Sequence, residues 1–416
     1  MVQVRNTPPA GPVARQSRLW RNLALGAAAA AAVLVAVLLV ITPGATPPPP
    51  PPGQTPAPVP TGPQLYVDPA GNDSSDGSQG APFQTIQKAL DEARPGTTIN
   101  LAPGEYREQL ATQRDGEPGA PITIKGPETG QDRSGRYQAT VYGTARVFSI
   151  DHSYYVLEGF TIDGQEKLKG RPFPEDLSAI TAFKQSVARD VEDGRLIYVG
   201  ASDQARDITG IEIRNMFLSG AGGECVRLRN NATDNIIADS VIQYCGLFGK
   251  KSDGGERFEF HNGEGVYIGT SPKSDGQPMA DNDPSSGNQV TGNIIRTFGS
   301  ECFNVKENAH DNVFENNQCF GNAESAEFDG SNVELRGHNN VVRNNTISGS
   351  EAVAIKVKSD SGYDKGGNVV EGNQISDVAT EAFQVESNAQ QGQMCGNEVR
   401  GGSLGEDAPA GVDQPC

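Results

Sequence analysis

Acidic residues are missing from the first 63 positions, lysine is missing before Lys88, and cysteine is missing before Cys225. The chain has only 4 His, 4 Met and 1 Trp in 416 residues. The histidines His152, His261, His310 and His338 show no ligand spacing and read as surface or turn residues, and the six cysteines also lack metal-ligand spacing. A structural zinc site is therefore not expected. The four arginines of the acid-free segment all precede residues 23–41, an unbroken apolar run, and no Lys or Arg follows until Lys88. A run of that length spans the hydrocarbon layer as a helix, and the charge asymmetry places residues 1–22 in the cytosol. A cleaved secretory signal is the alternative, which would leave a secreted protein, but its apolar core is usually shorter and ends at small residues. No cysteine lies near the run to carry a lipid.

Beyond the run, residues 42–63 are dominated by proline and are expected to form an extended stalk. The whole chain stands at −18, so removing the four N-terminal arginines leaves −22 on the remainder, residues 64–416. Such a surface repels nucleic acid and anionic lipid, leaving the single N-terminal helix as the membrane contact of a monomer. Fifty Gly, 28 Pro and 36% hydrophobic residues suit a loop-rich β protein. All six cysteines fall on the outer side, where disulfides persist. Sequence neighbours are the expected pairs, Cys395 with Cys416 foremost because that bond would tie down the terminus.

One phrase recurs, Asn-x-[Val/Ile]-x-x-[Asn/Ser]-x-[Ile/Val], starting at Asn235, Asn288, Asn312, Asn340 and Asn368. Each repeat has a second strand with strict alternation: VRLR from 226, VYIG from 266, FNVK from 303, VELR from 333, VAIK from 353 and FQVE from 383. Period two with one apolar face means a strand buried on one side. Units this short cannot bury that face alone, and stacking them gives one continuous core. The fold expected is all-β, a single-stranded right-handed parallel β-helix of the pectin-lyase-like kind. The repeated asparagines are expected to stack as a ladder between coils. A short helix through Ile86, Ala89, Leu90 and Ala93, capped by Thr85, is expected to close the open end and protect the first strand edge.

The segment YVDPAGNDSSDGSQGAPFQTIQKALDEARPGTTINLAPGEYRE, from Tyr66 to Glu108, resembles the opening of secreted bacterial β-helix proteins such as the pectate lyases of polysaccharide lyase family nine. That likeness speaks to fold, because the Asp-rich calcium motif of family nine is absent.

Stacking the second strands aligns their last outward residues as Arg229, Gly269, Lys306, Arg336, Lys356 and Glu386. An acidic row, Glu224, Glu264, Glu301, Ser331, Glu351 and Glu381, borders it where the strands begin. Opposite rows can simply neutralise one another across a sheet. Alternatively, adjacent Lys306 and Arg336 can address one sugar, with Arg336 depressing the Lys306 pKa so that the lysine acts as a base. Removing the C5 proton of a uronate requires a base, an acid for the leaving oxygen and a cation on the carboxylate.

The phrases GEGVYIGTSPKS, GSECFNVKENAHDNVFENN and VELRGHNNVVRNN resemble the catalytic region of polysaccharide lyase family six, the alginate and chondroitin lyases. The resemblance implies Lys306 as base, Arg336 as acid and Glu301 as a calcium ligand. It is incomplete, since the family's glutamate two residues before Glu301 is Gly299 here; Glu264 or Asn262 would have to supply calcium oxygens instead. Arg229, Tyr267 and Lys356 are expected to bind substrate, with Tyr267 stacking on a sugar ring. The insertions 164–207, 246–263 and 271–287 break the solenoid, and the last two, flanking the strand from Val266 to Gly269, are expected to wall a groove. The function expected is a lyase acting on a uronate-containing polysaccharide. A glycoside hydrolase using Glu301, Glu324 and Asp329 is one alternative, and a non-catalytic glycan-binding or structural β-helix is another.

Overall fold

The computed structural model describes residues 62–127, 131, 135–201, 206–251, 258–260, 263–272, 282–322, 330–360 and 362–416. The expected membrane anchor and most of the linker lie outside them, as do Asn262, His261, Glu324 and Asp329. Among the described residues, no helix is long and apolar enough to cross a membrane.

Alternating apolar residues produce strands that stack in parallel into sheets of eleven, ten and nine strands, and the chain visits the three in turn. One coil, for example, runs through Val313–Glu315, Gln318–Asn322 and Ser331–Leu335 before Val341–Arg343 begins the next. The fold is thus a parallel β-helix. The asparagine phrase holds two strands of this coil rather than one, because a tight turn sits in its middle. That turn needs a residue with positive φ just before the ladder position. Asp239, Gly292, Asn316, Asn344 and Gly372 supply it, since only Gly, Asn and Asp adopt that conformation readily.

The stacked asparagines form two buried ladders. In one, Asn235, Asn288, Asn312, Asn340 and Asn368 each donate Nδ2 to the Oδ1 of the next coil, with Gln391 closing the series, at 2.8–3.2 Å. In the other, Asn293, Asn317, Asn345 and Asn373 do the same toward Asn397, at 2.9–3.2 Å. The same Oδ1 also accepts the backbone N–H of the residue below, as Asn345 does from Asn317 at 2.9 Å. Each amide is fully used, so truncating one strands buried donors at a cost of about 1–3 kcal/mol.

Inward residues from all three sheets make one core, capped at the start by the helix Ile86–Glu92. Thr85 accepts from the Lys88 N–H, and the Glu108 carboxylate takes the N–H groups of Ile86 and Gln87, both at 2.9 Å. At the far end the Cys395–Cys416 disulfide holds a tail whose Val412 is buried in the core. Cys225–Cys245 and Cys302–Cys319 complete the expected pairing of neighbours. Each closes a loop of about twenty residues, worth about 3 kcal/mol apiece in the chain-entropy view.

The expected insertion 164–207 is shorter than the sequence suggested, because its last part, Gly194–Val199, is a regular strand of the nine-stranded sheet. The remainder carries the helix Ile180–Val187, which packs with Phe173, Phe183 and Leu168 against Tyr244, Leu247 and Phe298. Lys184, wholly buried, donates to the Phe298 carbonyl at 3.2 Å. This segment therefore braces the corner from which the chain enters the strand Phe303–Val305.

Candidate active site

The nine-stranded sheet carries the candidate residues, and its register fixes who meets whom. Arg227 lies beside Tyr267, Tyr267 beside Asn304, Asn304 beside Glu334 and Glu334 beside Lys356, one per coil. Val305 pairs with Leu335, so Lys306 and Arg336, the next residues, sit on neighbouring coils as expected.

Lys356 does not belong to their row. Leu335 pairs with Val357 and Glu334 with Lys356, so Lys358 follows Arg336 and Lys356 falls in the central row. Ser331 likewise pairs with Val353, which removes Glu351 from the acidic row. The strand Val353–Val357 presents three inward apolar residues, and sliding it by two keeps every side chain on its face. Alternation alone could not detect that slip.

Glu334, unnoticed in the sequence, is the hub. Its carboxylate accepts from Asn304 Nδ2 at 2.8 Å and faces Lys358 Nζ at 3.2 Å, Arg336 at 3.5 Å and Lys306 Nζ at 3.7 Å. Arg336 is further held by Glu307, Nε to Oε1 at 2.6 Å, and by Asp360 at 2.8 Å. Burial opposes the Arg336 charge, but Glu334, Glu307 and Asp360 outweigh it and raise its pKa. An arginine so held keeps its proton and positions its neighbours.

The expected depression of Lys306 by Arg336 is overturned. Burial and Arg336 do act downward, yet Tyr267, Glu334 and Glu264 prevail and the Lys306 pKa is raised. The lysine pushed down is Lys358, chiefly by burial with a contribution from Lys306.

Tyr267 projects outward as expected but is only 4% exposed. Its ring is wrapped by cations: Arg227 at 4.7 Å, Lys306 Nζ at 4.9 Å and Arg229 at 5.5 Å from the centroid. Arg229 also donates Nε to the Gly269 carbonyl at 3.4 Å. The Tyr267 ring, an ammonium and two guanidiniums thus converge on one face. Arg227 was missed because the middle letter of VRL reads as an ordinary outward residue. Its signal was the recurrence of long polar side chains at that same letter in successive coils.

Glu264 and Glu301 lie on the edge where the strands begin. Burial, then the charges of Glu334 and Glu264, push the Glu301 carboxyl up to about 7, while Lys306 pulls the other way. Ser300 donates its hydroxyl to it, and Glu264 accepts the Gly263 N–H at 2.9 Å.

Calcium requires six to eight oxygens, and of the three expected ligands Glu264 and Glu301 lie among the described residues while Asn262 does not. Among the described residues, no three His, Cys, Asp or Glu side chains converge to hold a metal ion. Gly299 cannot be restored to a ligand either. A Cβ there would stand 2.7 Å from the Gly263 Cα and 2.9 Å from the Gly246 Cα, so two coils meet through bare glycines, Gly246 and Gly263 flanking one insertion.

The raised Glu301 carboxyl makes stability depend on pH. The folded protein keeps a proton that the unfolded chain releases above 4.5, so its contribution is complete below 4.5 and is lost as pH rises through about 7. Compared with Glu301→Gln, the wild type is expected to lose up to about 3 kcal/mol across that window. Urea midpoints at several pH values check this, and parallel profiles would remove the assignment.

The described histidines serve turns and loops. His152 Nδ1 pairs with the Thr112 hydroxyl at 2.8 Å, and His310 meets Asp311 at 2.6 Å and lies edge-on to His338.

Comparison with known proteins adds the following. Residues 69–126 match a family of unknown function, DUF1565. An uncharacterized protein of Bacillus subtilis (strain 168), YwoF, is 38% identical over 68 residues, and this match spans 16% of the present chain and 14% of that relative. Among solved structures, an alginate lyase from Paenibacillus sp. str. FPU-7 superposes with a TM-score of 0.57 at 20% identity, covering 76% of this chain and 93% of that one. Pectate lyase Pel9A gives 0.54 at 16% identity over 83% and 78% of the two chains. A rhamnogalacturonan lyase gives 0.51 at 15% over 85% and 90%. At these identities the likeness is one of architecture: the chain has the parallel β-helix fold found in these polysaccharide lyases.

Proposed function

We propose that the protein is an extracytoplasmic polysaccharide lyase that cleaves a uronate-containing glycan by β-elimination, held at the cell surface by its N-terminal apolar run. The observation that carries this reading is the placement of the Lys306 ammonium 4.9 Å from the Tyr267 ring centre, amid guanidinium groups, on the outward face of a solenoid sheet. A cationic face on a domain of −22 suits a polyanionic chain lying along it. Successive coils are spaced about 4.8 Å apart, close to the length of one sugar, so a linear glycan parallel to the axis meets one coil per residue.

The cycle starts from the Tyr267 phenolate facing the charged Lys306: the phenolate oxygen takes the C5 proton and becomes the phenol, the freed electron pair forms the C4–C5 double bond, and the C4–O bond breaks. Lys306, held charged by its acidic surroundings, gives a proton to the departing oxygen. Transfer of a proton from Tyr267 to Lys306 resets the pair, so no proton is consumed. Glu334 holds Lys306 in place, and Arg336, itself held by Glu307 and Asp360, shares that carboxylate. The fold shared with lyases of alginate, pectate and rhamnogalacturonan supports the substrate class.

The test is to incubate the full chain with alginate, pectate, rhamnogalacturonan and hyaluronan. Near-ultraviolet absorbance and reducing ends rising together are expected. Reducing ends alone would make it a hydrolase, and neither signal on any polymer would leave a binding or structural β-helix.

A further inference from the structure

We propose that Arg146 and Tyr198 form a distal sugar-binding subsite, which takes the carboxylate of an acidic sugar two residues along the glycan from the one on Tyr267; its relation to the reacting sugar rests on the lyase reading above. The first observation is one of register. On the nine-stranded sheet Ser149 pairs with Tyr198, Tyr198 with Arg227 and Arg227 with Tyr267, one residue per coil. Ile197 and Val199, on either side of Tyr198, enter the core, so Tyr198 projects from the outward face. It stands in the same row as Tyr267, two coils nearer the N-terminus. Two coils measure about 10 Å, the length of two sugars in a chain laid along the axis.

A second observation concerns Arg146. Its Cζ lies 3.9 Å from the centre of the Tyr198 ring, which is contact distance, and yet the residue is exposed. Its neighbour in register, Arg195, turns instead to the buried Glu224, Nε to Oε2 at 2.7 Å. A guanidinium carries five N–H donors in a fixed fork, and contact with a ring leaves donors for a second partner. Planar, bidentate recognition of a carboxylate suits that fork. Resting on the ring, the arginine has already given up much of its rotamer freedom, so less is lost when an anion arrives.

The support beneath the arginine is rigid. Tyr198 is only 4% exposed, and its hydroxyl accepts from Asn230 Nδ2 at 3.4 Å. That amide also donates to the Ala201 carbonyl at 3.2 Å, and the Asn230 N–H donates to Asp283 Oδ2 at 2.9 Å. The ring is therefore fixed by the turn that follows its neighbouring strand, and the guanidinium above it is presented to solvent in one place. Ser149, half-buried beside Tyr198, adds a hydroxyl on the same face for a sugar hydroxyl. A glycan that reaches from Tyr267 to this pair passes Arg227 on the coil between them, so the row is continuous.

Calorimetry on the full-length chain tests this, with the dimers and hexamers of mannuronate and of galacturonate and with carboxyl-reduced hexamers, all in the Tyr267→Phe background so that cleavage is slowed. A dimer cannot reach both tyrosines, whereas a hexamer can. At least one hexauronate is expected to bind more tightly than its dimer, and Arg146→Ala is expected to lower that hexamer-to-dimer ratio about tenfold, the usual worth of a hydrogen-bonded charge. Arg146→Lys should restore part of the ratio. Because Arg146 is exposed, its replacement leaves the core intact, and matching urea midpoints would verify this. Three results would overturn the proposal: equal weakening of dimer and hexamer, equal weakening of charged and reduced hexamers, or no binding of either hexauronate while Arg146 is in place. A hexamer preference that depends on Arg146, without unsaturated product from the wild type, would sink the lyase reading and leave this subsite standing. Unsaturated product with a hexamer preference indifferent to Arg146 would do the reverse.

Discussion

Lys306→Ala and Tyr267→Phe should each lower the rate of unsaturated-product formation by about a hundredfold to ten-thousandfold, the usual contribution of a positioned proton carrier. Both side chains face outward from the nine-stranded sheet, so neither change opens a core cavity. Tyr267→Phe removes only the oxygen and keeps the ring on which Arg227, Arg229 and Lys306 pack. The Tyr267→Phe rate should fall with a thermal transition close to that of the wild type, whereas Lys306→Ala also takes one cation from Glu334 and should lower the transition. The double variant should be little worse than either single one, because the two groups pass one proton between them. Multiplicative losses would show that they act separately, and retained activity in Tyr267→Phe would move the proton acceptor elsewhere, with Lys358 next to be examined.

The second large effect concerns stability. Glu334→Ala removes the shared partner of Lys306, Arg336 and Lys358 and leaves the buried side chain of Asn304 without its acceptor. Removing one partner of a buried charge network costs about 3–5 kcal/mol, because the remaining like charges face one another without compensation. Glu334→Gln keeps the Asn304 contact and should cost less. A denaturant midpoint that falls with unchanged slope is the expected signature. An unaltered midpoint in Glu334→Ala would mean that Glu307 and Asp360 alone compensate the cations.

How far the sequence could be read differs between scaffold and site, for identifiable reasons. The solenoid was legible because Asn235, Asn288, Asn312, Asn340 and Asn368 repeat in a setting where nothing but a stacked turn explains them. The pairing of cysteines followed from neighbouring positions. Lys306 and Arg336 were rightly placed side by side because their strands are equally long up to the last outward residue. Lys356 was misplaced because a strand with three inward apolar residues fits two registers equally well. Glu334 and Arg227 were overlooked because a charged residue on an outward face reads as solvated until its neighbours are known. The sign of the Lys306 shift needed the positions of Glu334 and Glu264, which no spacing rule supplies.

The asparagine ladders have a further consequence for the history of such a chain. Every rung donates in one direction, and Asn312, Asn340 and Asn368 follow one another at equal steps of 28 residues. Excising one whole step would bring Asn312 directly onto Asn368, and would join Asn317 to Asn373 in the second ladder, with each donor still meeting an acceptor. Gene segments of this length can therefore be lost or duplicated without a mismatch at the seam, whereas a deletion that is not a whole number of coils cuts both ladders at once. The molecule is built to change its length in whole coils, and with it the length of the outward face of its nine-stranded sheet.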